Sequence, residues 1–213
     1  MGDISPLRRD TRATPIQQRS SERIEAILSA TATIIDQEGI DAVTTTSVAF
    51  RSGSSVGVIY RYFPNIDSLL HTLAQRNLHL YLDKVQEGSD RSPEEPWSSW
   101  DFTLDSYIDL CRHEPGFRSL GFGDIITNRF LSTEESNTSV IAKAFAGMVS
   151  ETHQVPVTKE MLFHLECAIT MGMALVSLAF ERKARGDRAT IEQARVTIGE
   201  YLRTHLPISS STR

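Results

Sequence analysis

Several features that mark other classes of protein are missing from this chain of 213 residues. No run of about 18 consecutive apolar residues is present, so we expect no membrane-spanning helix. The first fifteen residues contain no apolar segment, so we expect no secretory signal. The two cysteines, Cys111 and Cys167, are widely separated in the sequence. That usage is typical of reduced thiols in a cytoplasmic protein.

The motifs of common enzyme classes are also missing. No serine, cysteine or histidine stands in a recognisable nucleophilic context, and no glycine-rich phosphate loop is present. The six histidines are scattered, without a close pair at metal-ligand spacing. We therefore expect no enzyme, no cofactor and no metal. One alternative stays open, in which Cys111, His113, His164 and Cys167 converge from two helices to form a metal or redox sensor.

Charge is unevenly distributed along the chain, whose net charge is −5. Residues 1–63 carry seven basic and seven acidic side chains, so the whole acidic excess lies after residue 63. An acidic total is therefore compatible with a local basic face in the N-terminal part. It argues against broad, sequence-independent affinity for nucleic acid.

The most informative stretch, residues 43–70, has the pattern of a helix-turn-helix. Gly53 supplies a residue that tolerates positive φ in the turn between two short helices. The residues that can cap these helices are Thr44, Thr45, Ser54 and Ser55. In the second helix Ile59 and Phe63 are expected to point inward, which leaves the opposite side free.

The second helix of such a motif enters a DNA major groove. Val56 and Val58 suit contact with a thymine methyl group, whereas the hydroxyl groups suit phosphates. Arg61 fits a base, a phosphate or solvent equally well. The predicted DNA-contacting residues are Thr44, Thr45, Ser54, Ser55, Val56, Val58, Tyr60, Arg61, Tyr62 and Asn65.

This stretch also resembles the N-terminal DNA-binding domain of the TetR family of transcriptional regulators. The resemblance rests on the spacing of Thr44, Thr45, Val48, Ala49, Gly53, Ser55, Gly57, Ile59, Tyr60, Tyr62, Phe63, Pro64, Leu69 and Leu70. In that family the positions matched by Tyr60 and Tyr62 touch the DNA backbone. The resemblance therefore implies the same role for these two tyrosines.

The chain departs from the family pattern at three positions. Ser52 stands where the family usually has Ala, and Ser54 stands where it has a small aliphatic residue. Ile66 stands where the family usually has Lys, whose ammonium group touches a DNA phosphate. Ile66 cannot make that contact, and Asn65 or the N-terminal arm is the candidate replacement.

Helical periodicity runs along the chain, and no alternating strand pattern is longer than four residues. We predict an all-α protein of about nine helices, with an N-terminal three-helix domain containing the helix-turn-helix and a larger helical domain for ligand binding and dimerisation. The predicted parts are a disordered arm (1–18), the helix-turn-helix domain (19–64), the larger domain (65–206) and a tail (207–213). The first helix is expected to start at Ser20 or Ser21, the fourth to follow an Asn65 cap, and the longest to run from Thr158 to about Arg185.

Residues 90–180 carry many aromatic and apolar side chains. They either pack as an ordinary core or line a cavity between helices. The TetR resemblance favours the cavity, since proteins of that family bind a small effector with this half of the chain. The predicted effector-binding residues are Trp100, Tyr107, Phe122, Phe145, Met148, Phe163, His164 and Met171.

The last two predicted helices have apolar residues on more than one stripe. This pattern fits either the chain's own core or a four-helix contact with a second copy. The resemblance favours the second copy, because TetR-like proteins dimerise through their last two helices. The predicted interface residues are Ile169, Gly172, Met173, Val176, Ile191, Ala194, Ile198 and Tyr201.

These observations predict a cytoplasmic, homodimeric transcriptional regulator, a repressor that a small apolar effector releases from a palindromic DNA operator. The main alternative is a helical protein-interaction module whose helix-turn-helix no longer binds DNA. The departures at Ser54 and Ile66, and the zero net charge of residues 1–63, motivate this alternative. Salt-dependent affinity for a DNA duplex would distinguish the two.

Overall fold

A computed structural model describes residues 15–89, 98–122 and 136–207 of the chain. Its helices are α1 (Pro15–Glu38), a short 3-10 helix (Ile40–Ala42), α2 (Thr45–Ser52), α3 (Val56–Tyr62), α4 (Ile66–Ser89), α5 (Ser98–His113), α6 (Phe117–Leu120), α7 (Asn137–His153), α8 (Lys159–Arg182) and α9 (Arg188–His205). No strand occurs within these described ranges. The prediction of an all-α fold is confirmed.

Helix α1 begins earlier than predicted, at Pro15 rather than at Ser20 or Ser21. Proline is favoured in the first turn of a helix because its φ is already helical. Its missing N–H also costs nothing there, since first-turn N–H groups have no hydrogen-bond acceptor within the helix. Residues 15–18 are therefore helical and do not belong to the predicted arm. The rest of that arm, residues 1–14, and residues 208–213 of the predicted tail lie outside the described residues.

The buried apolar side chains form two separate clusters, which we name the head core and the main core. The head core joins α1, α2, α3 and the first turns of α4, and its fully buried members include Ile27, Ile34, Val48, Ile59 and Leu69. The main core joins the later turns of α4 to α5, α7, α8 and α9, and includes Tyr81, Trp100, Phe145, Leu165 and Ile198. The helix-turn-helix therefore packs around one core, and the C-terminal helices pack around the other.

Helix α4 takes part in both cores. Leu69 and Leu73 are buried in the head core, whereas Leu78 and Tyr81 are buried in the main core. The predicted cap of this helix is confirmed, since the Asn65 carboxamide oxygen accepts the N–H of Ser68 at 2.7 Å. A displacement of α4 in one core therefore has to be accommodated in the other.

A second link between the cores comes from α6, a short helix that the sequence analysis did not predict. Leu120 packs in the head core and Phe117 in the main core. Just before this helix, Gly116 has φ 70° and donates its N–H to the Asp36 carboxylate of α1 at 3.3 Å. A Cβ atom at Gly116 would lie 2.7 Å from the carbonyl oxygen of Ala32, so only glycine fits between α6 and α1.

Helix α8 is the one helix in the described parts of the chain that is long and apolar enough to cross a membrane by length and composition. Its apolar side packs instead against α7 and α9, where Leu165, Val176 and Ala179 are buried. A core helix of a soluble protein has the same composition. The helix ends at Arg182, three residues before the predicted end at Arg185.

The turn after α8 contains a cap that the sequence analysis missed. The Asp187 carboxylate accepts hydrogen bonds from the N–H and the hydroxyl of Thr190 at 3.1 and 2.9 Å, and thereby caps α9. The ammonium group of Lys183 lies 2.5 Å from the same carboxylate. Lys183 first, and then Thr190, lower the pKa of Asp187 to about 2.

This cap should make stability depend on pH in acid. Because the folded pKa is below the value of about 3.9 for an unfolded aspartate, the ionised carboxylate stabilises the fold above about pH 4. That stabilisation is lost as the pH falls towards about 2. We expect Asp187→Asn to lower the Tm near neutral pH, and the Tm curves of variant and parent to converge towards pH 2, as followed by circular dichroism. Glu192→Gln, at an exposed position of α9, is the control, and a constant Tm difference across this range would contradict the prediction.

Candidate DNA-reading head and ligand cavity

The first helix of the helix-turn-helix is held by the caps that the sequence predicts. The Thr44 hydroxyl accepts the N–H of Ser47 at 3.1 Å, and the Thr44 N–H donates to the Ser47 hydroxyl at 2.9 Å. This reciprocal pair is a capping box with serine in the third position. Gly53 ends the helix in the left-handed region with φ 63°, as expected of the turn.

Helix α3 is anchored on one side and free on the other. The Ser55 hydroxyl caps it by accepting the N–H of Val58 at 3.3 Å, and Ile59 and Phe63 are buried in the head core as predicted. On the free side Val56 is 40% exposed and Tyr60 is 55% exposed, and Arg61 is exposed as well. Helix α3 therefore presents one apolar, one phenolic and one guanidinium group to a partner.

Three of the predicted DNA-contacting residues are less free than expected. Val58 and Tyr62 are half-buried against the head core, and the Tyr62 hydroxyl accepts a hydrogen bond from Ser20 of α1 at 3.5 Å. The Ser54 hydroxyl oxygen is buried and has no hydrogen-bond partner among the described residues. Only the outer parts of the Val58 and Tyr62 side chains are therefore available to DNA.

The residues around the start of α4 are arranged differently from the family pattern. Ile66, which replaces the family's lysine, is partly buried and packs against the head core. Asn65 is exposed, but its carboxamide oxygen is engaged in capping α4. The Thr45 hydroxyl lies 3.5 Å from the Tyr60 hydroxyl, so α2 and α3 place two hydroxyl groups side by side.

One large exposed side chain on α2 was not predicted from the sequence. Phe50 of α2 is 90% exposed, more than any other large apolar residue in the described ranges. Helical periodicity alone does not identify it, because α2 is only eight residues long.

The space around Gly57 of α3 is open, since the nearest atom to a Cβ there would be the Ser55 hydroxyl oxygen at 3.9 Å.

A cavity of about 20 Å³ lies in the main core between α4, α5, α7 and α8. It is lined by Tyr81, Trp100, Thr103, Leu104, Tyr107, Phe122, Ile141, Ile169, Gly172 and Met173. Three of the predicted effector residues, Trp100, Tyr107 and Phe122, are therefore on its wall. The rings of Tyr107 and Phe122 pack at 5.6 Å, and Tyr81 contacts both of them.

The other predicted effector residues lie elsewhere. Phe145 packs edge-on against Trp100 at 5.7 Å, behind the cavity wall, and Met148 packs against the main core. Phe163 and Met171 line an open groove on the outer side of α8 instead. The His164 ring nitrogen Nδ1 lies 2.7 Å from the Tyr201 hydroxyl on the same outer side.

The cavity has few polar groups. The Tyr81 hydroxyl donates to the carbonyl oxygen of Thr103 at 3.4 Å, and burial raises the pKa of Tyr81 above its usual value. The indole Nε1 of Trp100 is buried, and no group in the described part of the chain accepts its hydrogen. An unpaired buried donor is unfavourable, so a ligand that supplies an acceptor here gains affinity.

The hypothesis that Cys111, His113, His164 and Cys167 converge on a metal is wrong. No three His, Cys, Asp or Glu side chains form a metal-binding group within the described ranges. His113 pairs with Asp109 at 2.8 Å, whereas His164 contacts Tyr201. Burial raises the pKa of the Cys111 thiol to about 12, so it is protonated near neutral pH.

Six of the eight residues predicted for the dimer interface lie in the interior of the protomer. Ile169, Gly172, Val176, Ile191, Ala194 and Ile198 are buried within the chain's own main core. At Gly172 a Cβ would lie 3.3 Å from Ile198 and 3.5 Å from Trp100, so its close approach is intramolecular. Only Met173 and Tyr201 are partly exposed.

Two protein-family models match the chain. Residues 27–73 match the model of bacterial regulatory proteins of the tetR family, and residues 94–206 match the model of the tetracyclin repressor-like C-terminal domain. The first match covers most of the reading head, the part of the chain from α1 to the first turns of α4 that packs around the head core. The second covers more than half of the chain and contains every residue of the cavity wall except Tyr81.

Individual relatives agree with these matches. A TetR-family transcriptional regulator from Streptomyces coelicolor is 29% identical with a TM-score of 0.75, over 86% of this chain and 99% of that one. RolR, solved in complex with resorcinol, has the same fold at 16% identity and a TM-score of 0.57, over 90% of this chain and 99% of that one. The HTH-type transcriptional regulator YvdT of Bacillus subtilis, which is uncharacterised, is 26% identical over 46% of this chain and only 50% of its own length. The chain belongs to the tetR family of bacterial regulatory proteins and is a transcriptional regulator with a helix-turn-helix DNA-binding domain.

Proposed function

We propose that this protein is a cytoplasmic homodimeric repressor that binds a palindromic operator and leaves it when a small molecule occupies the cavity. The observation that carries the proposal is the free side of α3, where Val56, Tyr60 and Arg61 are exposed while Ile59 anchors the helix. Two copies related by a two-fold axis would place these helices about one turn of DNA apart, ~34–36 Å or a related spacing.

On DNA, the exposed groups divide by chemistry. Val56 suits the methyl group of a thymine, and Arg61 suits a base edge or a phosphate. The paired hydroxyl groups of Thr45 and Tyr60 suit one phosphate, because both can donate to its oxygens. Gly57 has no side chain to hold the backbone away, so α3 can approach the groove closely. This surface holds few groups that identify bases, and the shape of the DNA would add specificity.

The two-fold contact would use the outer face of α8 and α9, where Tyr201 is the one residue shared with the interface predicted from sequence. Phe163 is 59% exposed, and Leu178 and Val196 are also exposed large apolar residues on these helices. Apolar side chains that stay exposed on adjacent helices are typical of an interface. Tyr201, hydrogen-bonded to His164, lies beside them and suits the polar part of the same contact.

The cavity and the reading head are connected by α4 and α6. Tyr81 of α4 and Phe122 after α6 both line the cavity, and the same two helices place Leu69, Leu73 and Leu120 in the head core. A ligand that pushes the cavity walls apart would therefore move both helices. A coupling of this kind typically lowers operator affinity roughly 5- to 150-fold.

The proposal is tested first by enrichment of genomic DNA fragments on the purified protein, followed by affinity measurements on the enriched duplexes. We expect a palindromic sequence whose affinity falls as the salt concentration rises. Tyr60→Phe removes only one hydroxyl group and should weaken binding by about tenfold, the loss of a hydrogen bond to a charged group. Thr152→Val also removes one hydroxyl group, at an exposed position near the end of α7, and should leave the affinity unchanged.

Two results of this experiment would contradict the proposal. If no sequence is enriched above background, the result favours a protein-interaction module whose helix-turn-helix no longer binds DNA. Equal loss of affinity in Tyr60→Phe and Thr152→Val would mean that the hydroxyl on α3 has no direct contact with the operator.

The dimer is tested by Phe163→Glu. A two-fold axis would bring two copies of the new carboxylate into one interface, and their desolvation and repulsion should convert the dimer to monomers. Phe50→Glu makes the same substitution at the most exposed phenylalanine of the reading head and should leave the dimer intact. Light scattering after gel filtration gives the masses, and a dimer that survives Phe163→Glu would place the interface elsewhere.

The allosteric part is tested by the packing of α6 against α1. Gly116→Ala places a Cβ against the Ala32 carbonyl oxygen and should push α6 away from α1. We expect the operator affinity of Gly116→Ala to fall in the absence of any ligand, towards that of the released state. Gly147→Ala, on α7 with open space around its Cβ position, is the control. Unchanged affinity in a folded Gly116→Ala protein would show that α6 does not control the head.

A further inference from the structure

We propose that the cavity binds a small, uncharged aromatic molecule through one acceptor oxygen, which takes the hydrogen of Trp100 Nε1. This inference rests on the proposed function, since it specifies the chemistry of the effector. It is carried by three features of the cavity, which are an unpaired donor, the lack of any charged side chain on the wall and an aromatic lining.

The donor is a buried group that no described residue accepts from. Trp100 is 3% exposed and lines the cavity, and its Nε1 has no hydrogen-bond partner within residues 15–89, 98–122 and 136–207. A Cβ atom at Gly172 would lie 3.5 Å from Trp100 Cζ2, a ring atom that is two bonds from Nε1. Gly172 is itself on the cavity wall, so its lack of a side chain leaves room beside this part of the indole.

The walls exclude a charged ligand. None of the ten lining residues is acidic or basic, and the Tyr81 hydroxyl already donates to the main-chain carbonyl oxygen of Thr103. A carboxylate or ammonium group placed there would lose its hydration without gaining a counter-ion, which is a large cost. A carbonyl, ether or phenolic oxygen needs only one donor, and Trp100 supplies it.

The lining also favours a flat ring. Tyr81, Trp100, Tyr107 and Phe122 present aromatic faces and edges, which pack well against another aromatic ring. At about 20 Å³ the cavity must widen to admit such a molecule. Met173 is the adaptable part of the wall, because its side chain is half-buried and has three rotatable bonds.

The test uses acetophenone, ethylbenzene and benzoate as probes of the purified dimer without DNA. Acetophenone and ethylbenzene have nearly the same shape and differ in whether they carry an acceptor oxygen, and benzoate adds a charge. We expect acetophenone to bind and to move the indole N–H resonance of Trp100 downfield, as a new hydrogen bond does. Ethylbenzene should bind without that shift, and benzoate should not bind measurably. Trp97→Phe assigns the resonance by leaving Trp100 as the single tryptophan.

The decisive variant is Trp100→Phe, which keeps an aromatic ring and removes the donor. The ratio of the ethylbenzene Kd to the acetophenone Kd should fall by about tenfold, the range of one hydrogen bond. Because the hydration of each probe is the same for both proteins, that change measures the contact with Nε1 alone. Gly172→Ala is a second variant that keeps Trp100 and favours the helix. The added methyl group fills the space beside the indole and should weaken acetophenone binding. It also lies 3.3 Å from Ile198, so the thermal stability of the variant is measured alongside.

Each other outcome overturns the inference. An unchanged ratio in Trp100→Phe would mean that Nε1 contacts no ligand, tighter binding of benzoate would reject an uncharged ligand, and binding of none of the probes would reject this ligand class. The enrichment of operator DNA is measured without probes, so it reports separately on the proposed function. A regulator that binds DNA but ignores acetophenone would invalidate this inference alone, whereas probe binding without DNA binding would invalidate the regulator.

Discussion

Helix α4 is the constraint on which both halves of the molecule depend. Its first turns supply Leu69 and Leu73 to the head core, and its later turns supply Leu78 and Tyr81 to the main core. Protein interiors are packed too densely to absorb a displacement without rearrangement, so the two cores cannot shift independently along this helix. The contact of Gly116 with α1 adds a second connection between the two cores. The position of the reading head is thereby linked to the packing around the cavity.

The reading head itself is specified mainly by local chemistry. Thr44, Ser55 and Asn65 each cap the helix that follows them, and Gly53 takes the left-handed conformation between α2 and α3. These interactions involve residues three or four positions apart, so they could be predicted from the order of residue types alone. Ile59 then joins this local unit to α1 and leaves the other side of α3 available for DNA.

In the C-terminal half, local sequence patterns do not determine which helix faces pack together. Periodicity correctly identified α8 and α9 and the apolar side of each, but it does not say what an apolar side packs against. Ile169 and Ile198 therefore fitted a dimer interface as well as a core, and they belong to the core. The exposed Phe163 fitted a cavity equally well and lies outside it. The position of Trp100 on the cavity wall was predicted, but its unpaired Nε1 was not, because the sequence does not show which groups surround a buried side chain.

By itself, the sequence determined the all-α class, the helix-turn-helix with its caps, the inward positions of Ile59 and Phe63, and the aromatic character of the main core. Those features depend on interactions within a few residues or on the period of one helix. The tertiary structure alone decided which apolar faces meet, that α6 docks on α1 through Gly116, and that the wall around Trp100 Nε1 is uncharged. Contacts between residues far apart in the chain, such as those of Trp100 with Phe145 and Gly172, depend on how several helices pack together.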